Sequence, residues 1–171
     1  MYAALLLLSA LSSSAVALHT YSVPMNLRVA EAENDNPCVL PDDYHVVGFS
    51  SEAQGDGQTL SSYKFTFKDD TTNITTPCNF NSSSVSIPGN GVPRYLCDNN
   101  DIEFIWEDAD RDLTMIQKVC PGTNGASAYE VAGSVHLWIK CPESGGACAT
   151  NTTDYRSLFV SLNPVMNPSR V

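Results

Sequence analysis

Asp108-Ala-Asp-Arg-Asp112 opens like a calcium loop, with carboxylates at alternate positions that could wrap a hard, oxygen-seeking cation. The pattern then breaks. Leu113 stands where the sharp-turn glycine is required and Val119 where the closing bidentate glutamate should be, so a solvated acidic turn is the better reading. Glu103 and Glu107 could supply the two carboxyl groups of a glycoside hydrolase, which need only stand about 5 to 9.5 Å apart; acids on an outward strand face are ordinarily just solvated. Histidine is scarce: His45 and His136 lie in the body of the chain and His19 ahead of it, too few for a histidine metal site and a thin stock of general bases near neutral pH. There is no Gly-x-Ser-x-Gly elbow, and a Ser-His-Asp triad would have to be assembled in space by the fold. The expectation is a non-enzymatic protein without catalytic residues, cofactor or metal.

The remaining reactive residues are Cys38, Cys78, Cys97, Cys120, Cys141 and Cys148. Zinc is their alternative use, but no Cys-x-x-Cys pair is present. Six cysteines permit fifteen disulfide pairings, which local geometry narrows. Cys141 and Cys148 close a Gly-rich, hairpin-sized loop whose ends can reach disulfide distance. Cys78 and Cys97 bracket a segment of Ser, Asn, Pro and Gly that can close as a long hairpin. Cys38 is then left for Cys120. In the chain-entropy treatment such loops are worth roughly 2.5, 3.3 and 4.6 kcal/mol in that order.

The start of the chain fits this oxidised chemistry. Residues 1–17 hold an apolar run, Leu5 to Leu8 at its centre, and end Ala15-Val16-Ala17, too short to span a bilayer and closed by the small residues a signal peptidase accepts. A secretory signal peptide is expected there, with the secreted, extracellular chain beginning near Leu18. No later stretch is apolar for long enough to cross a membrane. The formal charge of −10 argues against nucleic acid and anionic membranes as partners.

The elements that must position these residues read as strands. Residues 18–37 carry Pro, Asn and acidic residues without a sustained period and read as a flexible N-terminal arm. Beyond it, Tyr44 to Phe49 begins a series of alternating runs. Tyr63, Phe65 and Phe67 share one face of Ser61 to Asp69; Ile102, Phe104 and Trp106 share one face of Asp101 to Asp108 and are assigned to the core. Leu113 to Cys120, Tyr129 to Cys141 and Ser157 to Leu162 complete the set, with ten prolines and ten glycines supplying turns between runs. No segment has helical spacing. The fold expected over 38–164 is a single, compact, all-β antiparallel barrel, or barrel-like sandwich, stapled by disulfides and followed by a C-terminal tail at 165–171.

Asn73, Asn81 and Asn151 head Asn-x-Ser/Thr sequons in or beside loops, which predicts glycosylation at exposed sites. In the run Val131, Gly133, Val135, Leu137, Ile139, the alternation leaves His136 and Trp138 on the outward face. An outward Trp is either a contact for a sugar ring, a flat aromatic or a protein, or is covered by a second sheet or the arm.

Taken in order, several of these pieces resemble the Alternaria major-allergen family. The likeness spans roughly residues 38–164: a Cys ahead of Tyr44-His-Val46-x-x-Phe49, the Phe65-Thr-Phe67 strand, and Cys78 and Cys97 around a variable loop. Arg94-Tyr-Leu-Cys97 then leads into Ile102-Glu-Phe104-Ile-Trp106, an acidic turn and Leu113-Thr-Met115-Ile-Gln117-Lys-Val119, and the close pair Cys141 and Cys148 precedes a last strand. The resemblance implies a secreted fungal β-barrel without catalysis, an effector or elicitor that engages host extracellular defence proteins, with a flat phenolic compound as a further ligand. It implies no ligand-binding residue here. In the dimeric allergen the cysteine at the position of Cys38 bridges two subunits, whereas Cys120 offers Cys38 an internal partner, so monomer and homodimer both stand. A carbohydrate-binding or cell-wall surface module using the exposed aromatics, bound to a cell-wall polysaccharide, is the alternative function.

Overall fold

The computed structural model describes residues 19–25, 27, 38–87, 92–121 and 126–165; the signal-peptide reading of 1–17 lies outside them. The strands are β1 (Asp43–Ala53), β2 (Leu60–Asp69), β3 (Ile74–Phe80), β4 (Tyr95–Leu96), β5 (Ile102–Glu107), β6 (Asp112–Pro121), β7 (Ser127–His136), β8 (Ile139–Lys140), β9 (Gly146–Ala147), β10 (Ala149–Thr150), β11 (Asp154–Leu158) and β12 (Ser161–Pro164). Two five-stranded antiparallel sheets result. One has the order β11-β1-β2-β3 with β9 also on β1, the other β12-β7-β6-β5-β4, and β8 with β10 makes a separate ribbon.

Alternation puts Tyr63, Phe65 and Phe67 of the first sheet, and Ile102 and Phe104 with Leu113 and Met115 of the second, into one hydrophobic cluster. β1 needs a correction of phase to join them. Tyr44 and Val46 point inward, and strict alternation would turn Phe49 out to solvent. A bulge between Val47 and Ser50, with Gly48 at φ +66° and its N–H donating to Thr153 O at 2.7 Å, resets the period so that Phe49, Ser51 and Ala53 are buried.

The two sheets do not share one continuous ladder, yet both edges of the sandwich are joined, which makes it barrel-like. At one edge the chain itself turns the corner: Phe159 and Val160 lie between β11 and β12, Phe159 N–H donates to Asp42 O at 2.9 Å, and Val160 N–H to Ala132 O at 2.8 Å. The backbones pass so closely there that a Cβ on Gly133 would lie 2.1 Å from Leu158 O. At the other edge Cys78 of β3 is bonded to Cys97, just beyond β4, and Asp98 N–H donates to Pro77 O at 3.0 Å. Pro77 is tolerated because β3 is an edge strand, where a missing N–H breaks no ladder. Cys38–Cys120 ties the approach to β1 onto β6 across 82 residues, and Cys141–Cys148 closes the short loop.

Three runs differ from their sequence reading. Ser157 to Leu162 is two strands, because the corner falls inside it, and Tyr129 to Cys141 breaks after His136, because Ile139 and Lys140 pair with β10 instead. β3 carries no alternating signal of its own and is held by β2 through Asp69↔Ile74 to Tyr63↔Phe80. The described part of the segment read as an arm lies on the domain. Tyr21 and Val23 are buried, Tyr21 Oη donates to Pro41 O at 2.6 Å, Thr20 Oγ1 donates to Phe159 O, and Leu27 N–H closes a helical turn on Pro24 O at 3.0 Å.

Candidate functional site

The outward pair, His136 at the end of β7 and Trp138 just beyond it, stands in the open. Trp138 is 66% exposed, so neither the facing sheet nor the described N-terminal residues cover it. Its presentation is fixed from both sides. Leu137 is fully buried and its N–H donates to Arg111 O at 2.9 Å, while the carbonyl of Trp138 accepts from Tyr155 Oη at 3.3 Å. The His136 ring packs edge-on against the indole, with centroids 4.8 Å apart and planes at 79°. His136 is itself held by its cross-strand partner Asp112, Nδ1 to Oδ1 3.0 Å. The hydroxyl of Ser134 on the same face is engaged by Thr114 Oγ1 at 2.7 Å rather than by His136. The result is a rigid aromatic and polar patch suited to contact.

A second feature escaped the sequence reading. Phe80 and Tyr95 lie two residues inside Cys78 and Cys97, so the period of two puts each on the same face as its cysteine, and the disulfide brings their rings to 4.8 Å at 70°. Tyr63 stacks on Phe80 at 4.8 Å, and Trp106 lies 5.7 Å from Tyr63 at 46°. These four rings line a cleft of about 390 Å³, with Asp108 and small polar residues at its rim; a neighbouring depression of about 450 Å³ shares Tyr63 and Phe80. Trp106, assigned to the core from its alternation, is only half-buried because it lies near the end of β5, where the sandwich opens. Its indole N–H donates to Asp108 Oδ1 at 2.8 Å, and the same oxygen accepts Leu60 N–H at 3.0 Å. Burial, with Tyr95 and Asp108 adding to it, holds the Tyr63 phenol well above its ordinary value. Tyr63 Oη has no hydrogen-bond partner among the described residues.

Glu103, outward by alternation, is only 5% exposed. Lys118 Nζ reaches it at 2.8 Å, and Arg94 spans from Glu103 at 3.4 Å to Glu130 at 3.0 Å. The hydrogen bonds to Glu130, ahead of the attraction of both carboxylates, raise the Arg94 proton affinity. This paired, neutralised face replaces the candidate carboxylate pair: Glu103 is consumed by cations and Glu107 stands exposed at the end of β5. The acidic turn is likewise committed, since Asp108 serves Trp106 and Leu60 while Asp112 serves His136. Among the described residues no three metal-ligating side chains gather. Asn73, Asn81 and Asn151 are all exposed.

No protein-family model and no curated protein matches the sequence. Two solved structures of the Alternaria alternata major allergen Alt a 1 are similar to this chain. Each has 13% identity and a TM-score of 0.48; one match covers 73% of this chain and 95% of the other, the second 75% and 92%. The likeness is one of fold.

Proposed function

We propose that this chain is a secreted, non-enzymatic binding protein of the effector or elicitor type, acting on a host extracellular protein through the patch formed by Trp138 and His136. The observation that carries the binding reading is the exposed indole, buttressed edge-on by a histidine that Asp112 anchors. Large aromatics on rigid backbone contribute much contact area at little cost in conformational entropy. The host-directed part rests on the sequence resemblance over residues 38–164, and the three disulfides suit an oxidising compartment. Asn73, Asn81 and Asn151 serve as glycan acceptors in the same reading.

A cell-wall polysaccharide is the second candidate, because a flat exposed indole is also a platform for a sugar ring. The experiment sets the oxidised protein against plant apoplastic fluid and, in parallel, insoluble chitin, glucan and cellulose, each repeated with Trp138→Ala. Capture of one defined defence protein, lost in the variant, supports the proposal. Retention on polysaccharide alone overturns it in favour of a wall-binding module.

A further inference from the structure

The cleft at the open end of the sandwich has a chemistry of its own. Its walls are Tyr63, Phe80, Tyr95 and Trp106: Tyr63 and Phe80 stack on each other at 4.8 Å and 17°, while Tyr95 is inclined at 70° to Phe80 and Trp106 at 46° to Tyr63, and these two half-buried rings are only partly covered. Its rim is Gln54, Thr59, Ser61, Ser82 and Asp108, and among the described residues no Lys, Arg or His belongs to the lining. Asp108 is the one acidic side chain of the described lining. One of its oxygens is fully used by the Trp106 indole and Leu60 N–H, which orient the carboxylate; the other has no hydrogen-bond partner among the described residues. Lys64 and Glu52 line only the neighbouring depression, where their charges offset.

We infer that this cleft binds a small organic cation of the substituted-ammonium class. Aromatic faces attract an alkylated ammonium through the ring quadrupole, the more so where the cation is desolvated. A fixed carboxylate supplies the opposite charge, and the chain's formal charge of −10 favours cations over anions throughout. A neutral sugar could donate a hydroxyl to the free oxygen of Asp108 but would leave its charge unbalanced, which a cation would not. An anionic ligand would meet Asp108 with no cation to offset it among the described lining residues. The inference is independent of the Trp138 patch, which belongs to other residues.

The test titrates choline against its neutral isostere, in which a quaternary carbon replaces the nitrogen, and follows Trp106 fluorescence in a Trp138→Phe background that removes the other indole. Saturable quenching by choline, at least tenfold tighter than by the isostere, is expected. Asp108→Asn keeps an acceptor for the Trp106 indole and Leu60 N–H while removing the charge, and should weaken choline at least fivefold and leave the isostere unchanged. Equal responses to choline and isostere, no saturable response to choline, or a response to a methyl glucoside in their place would each overturn the inference. The comparison of choline with its isostere needs no cleft variant, so it stands even if Asp108→Asn folds poorly.

Discussion

Tyr44 and Tyr63 lie toward opposite ends of the β1–β2 ladder, and both rings are buried, yet the molecule treats them differently. Tyr44 packs against Phe67 and Phe159 and donates its hydroxyl to Gly133 O at 2.7 Å, across the sandwich. Tyr63 packs against Phe49, Phe80 and Trp106, but its hydroxyl borders the cleft with no protein partner among the described residues. One end is closed over, with the Tyr44 hydroxyl bonded to backbone. The other is left with aromatic wall, a fixed carboxylate and an unspent phenol. Core composition alone does not separate them; the separation comes from where the sheets are joined. At Gly133 the absence of a side chain lets two backbones touch, whereas Cys78–Cys97 clips the opposite edge and leaves bulky rings standing between the sheets.

The largest effect that could break this contrast is in packing. Phe67→Ala, at a fully buried site of the sealed end, should cost about 3–5 kcal/mol, while Phe80→Ala, half-buried on the cleft wall, should cost clearly less. Chemical denaturation of both variants checks this, and equal losses would mean that the cleft end is packed as firmly as the other. Removing single hydroxyls sharpens the same point. Tyr44→Phe removes the buried hydrogen bond to Gly133 O and should cost about 1 kcal/mol, whereas Tyr63→Phe removes no bond among the described residues and should stay within about 0.5 kcal/mol of the parent.

Alkaline titration tests the two phenols together. Burial raises both above their ordinary value. The folded state therefore holds these protons more tightly than the unfolded chain, and the stability this confers is complete below about pH 10 and declines as pH rises above it. Phenolate absorbance from Tyr44 and Tyr63 should be missing while the fold persists and appear together with unfolding; early, reversible ionisation of Tyr63 alone would place its hydroxyl in bulk water.

Much of the fold was legible because its strands alternate. Tyr63-x-Phe65-x-Phe67 and Ile102-x-Phe104 point inward as their period requires, and His136 and Trp138 point outward. β3 was not legible, since Thr75, Pro77 and Asn79 on its open face look like turn residues, and only pairing with β2 makes a strand of them. The corner at Phe159 and Val160 was hidden for the opposite reason: both residues have strand propensity, and only the change of sheet divides them. The cleft was invisible because its walls come from four strands, and Trp106 carries the same alternation whether the sandwich is closed or open at its end. Glu103, Lys118 and Glu130 could have been joined by a correct register, which sets Lys118 opposite Glu130, but Arg94 reaches them from outside any alternating run.

The smallest effect on the fold is expected where the largest effect on function is claimed. Trp138→Ala removes an indole that is two-thirds exposed and should change stability by no more than about 0.5 kcal/mol. The most direct measurement is therefore the affinity of the oxidised protein for the defence protein that the proposal expects it to capture from apoplastic fluid, taken for parent and Trp138→Ala at matched melting temperature. The proposal that this patch is the contact surface predicts a loss of at least tenfold in affinity with the melting temperature unchanged; full affinity in a normally folded variant would contradict it.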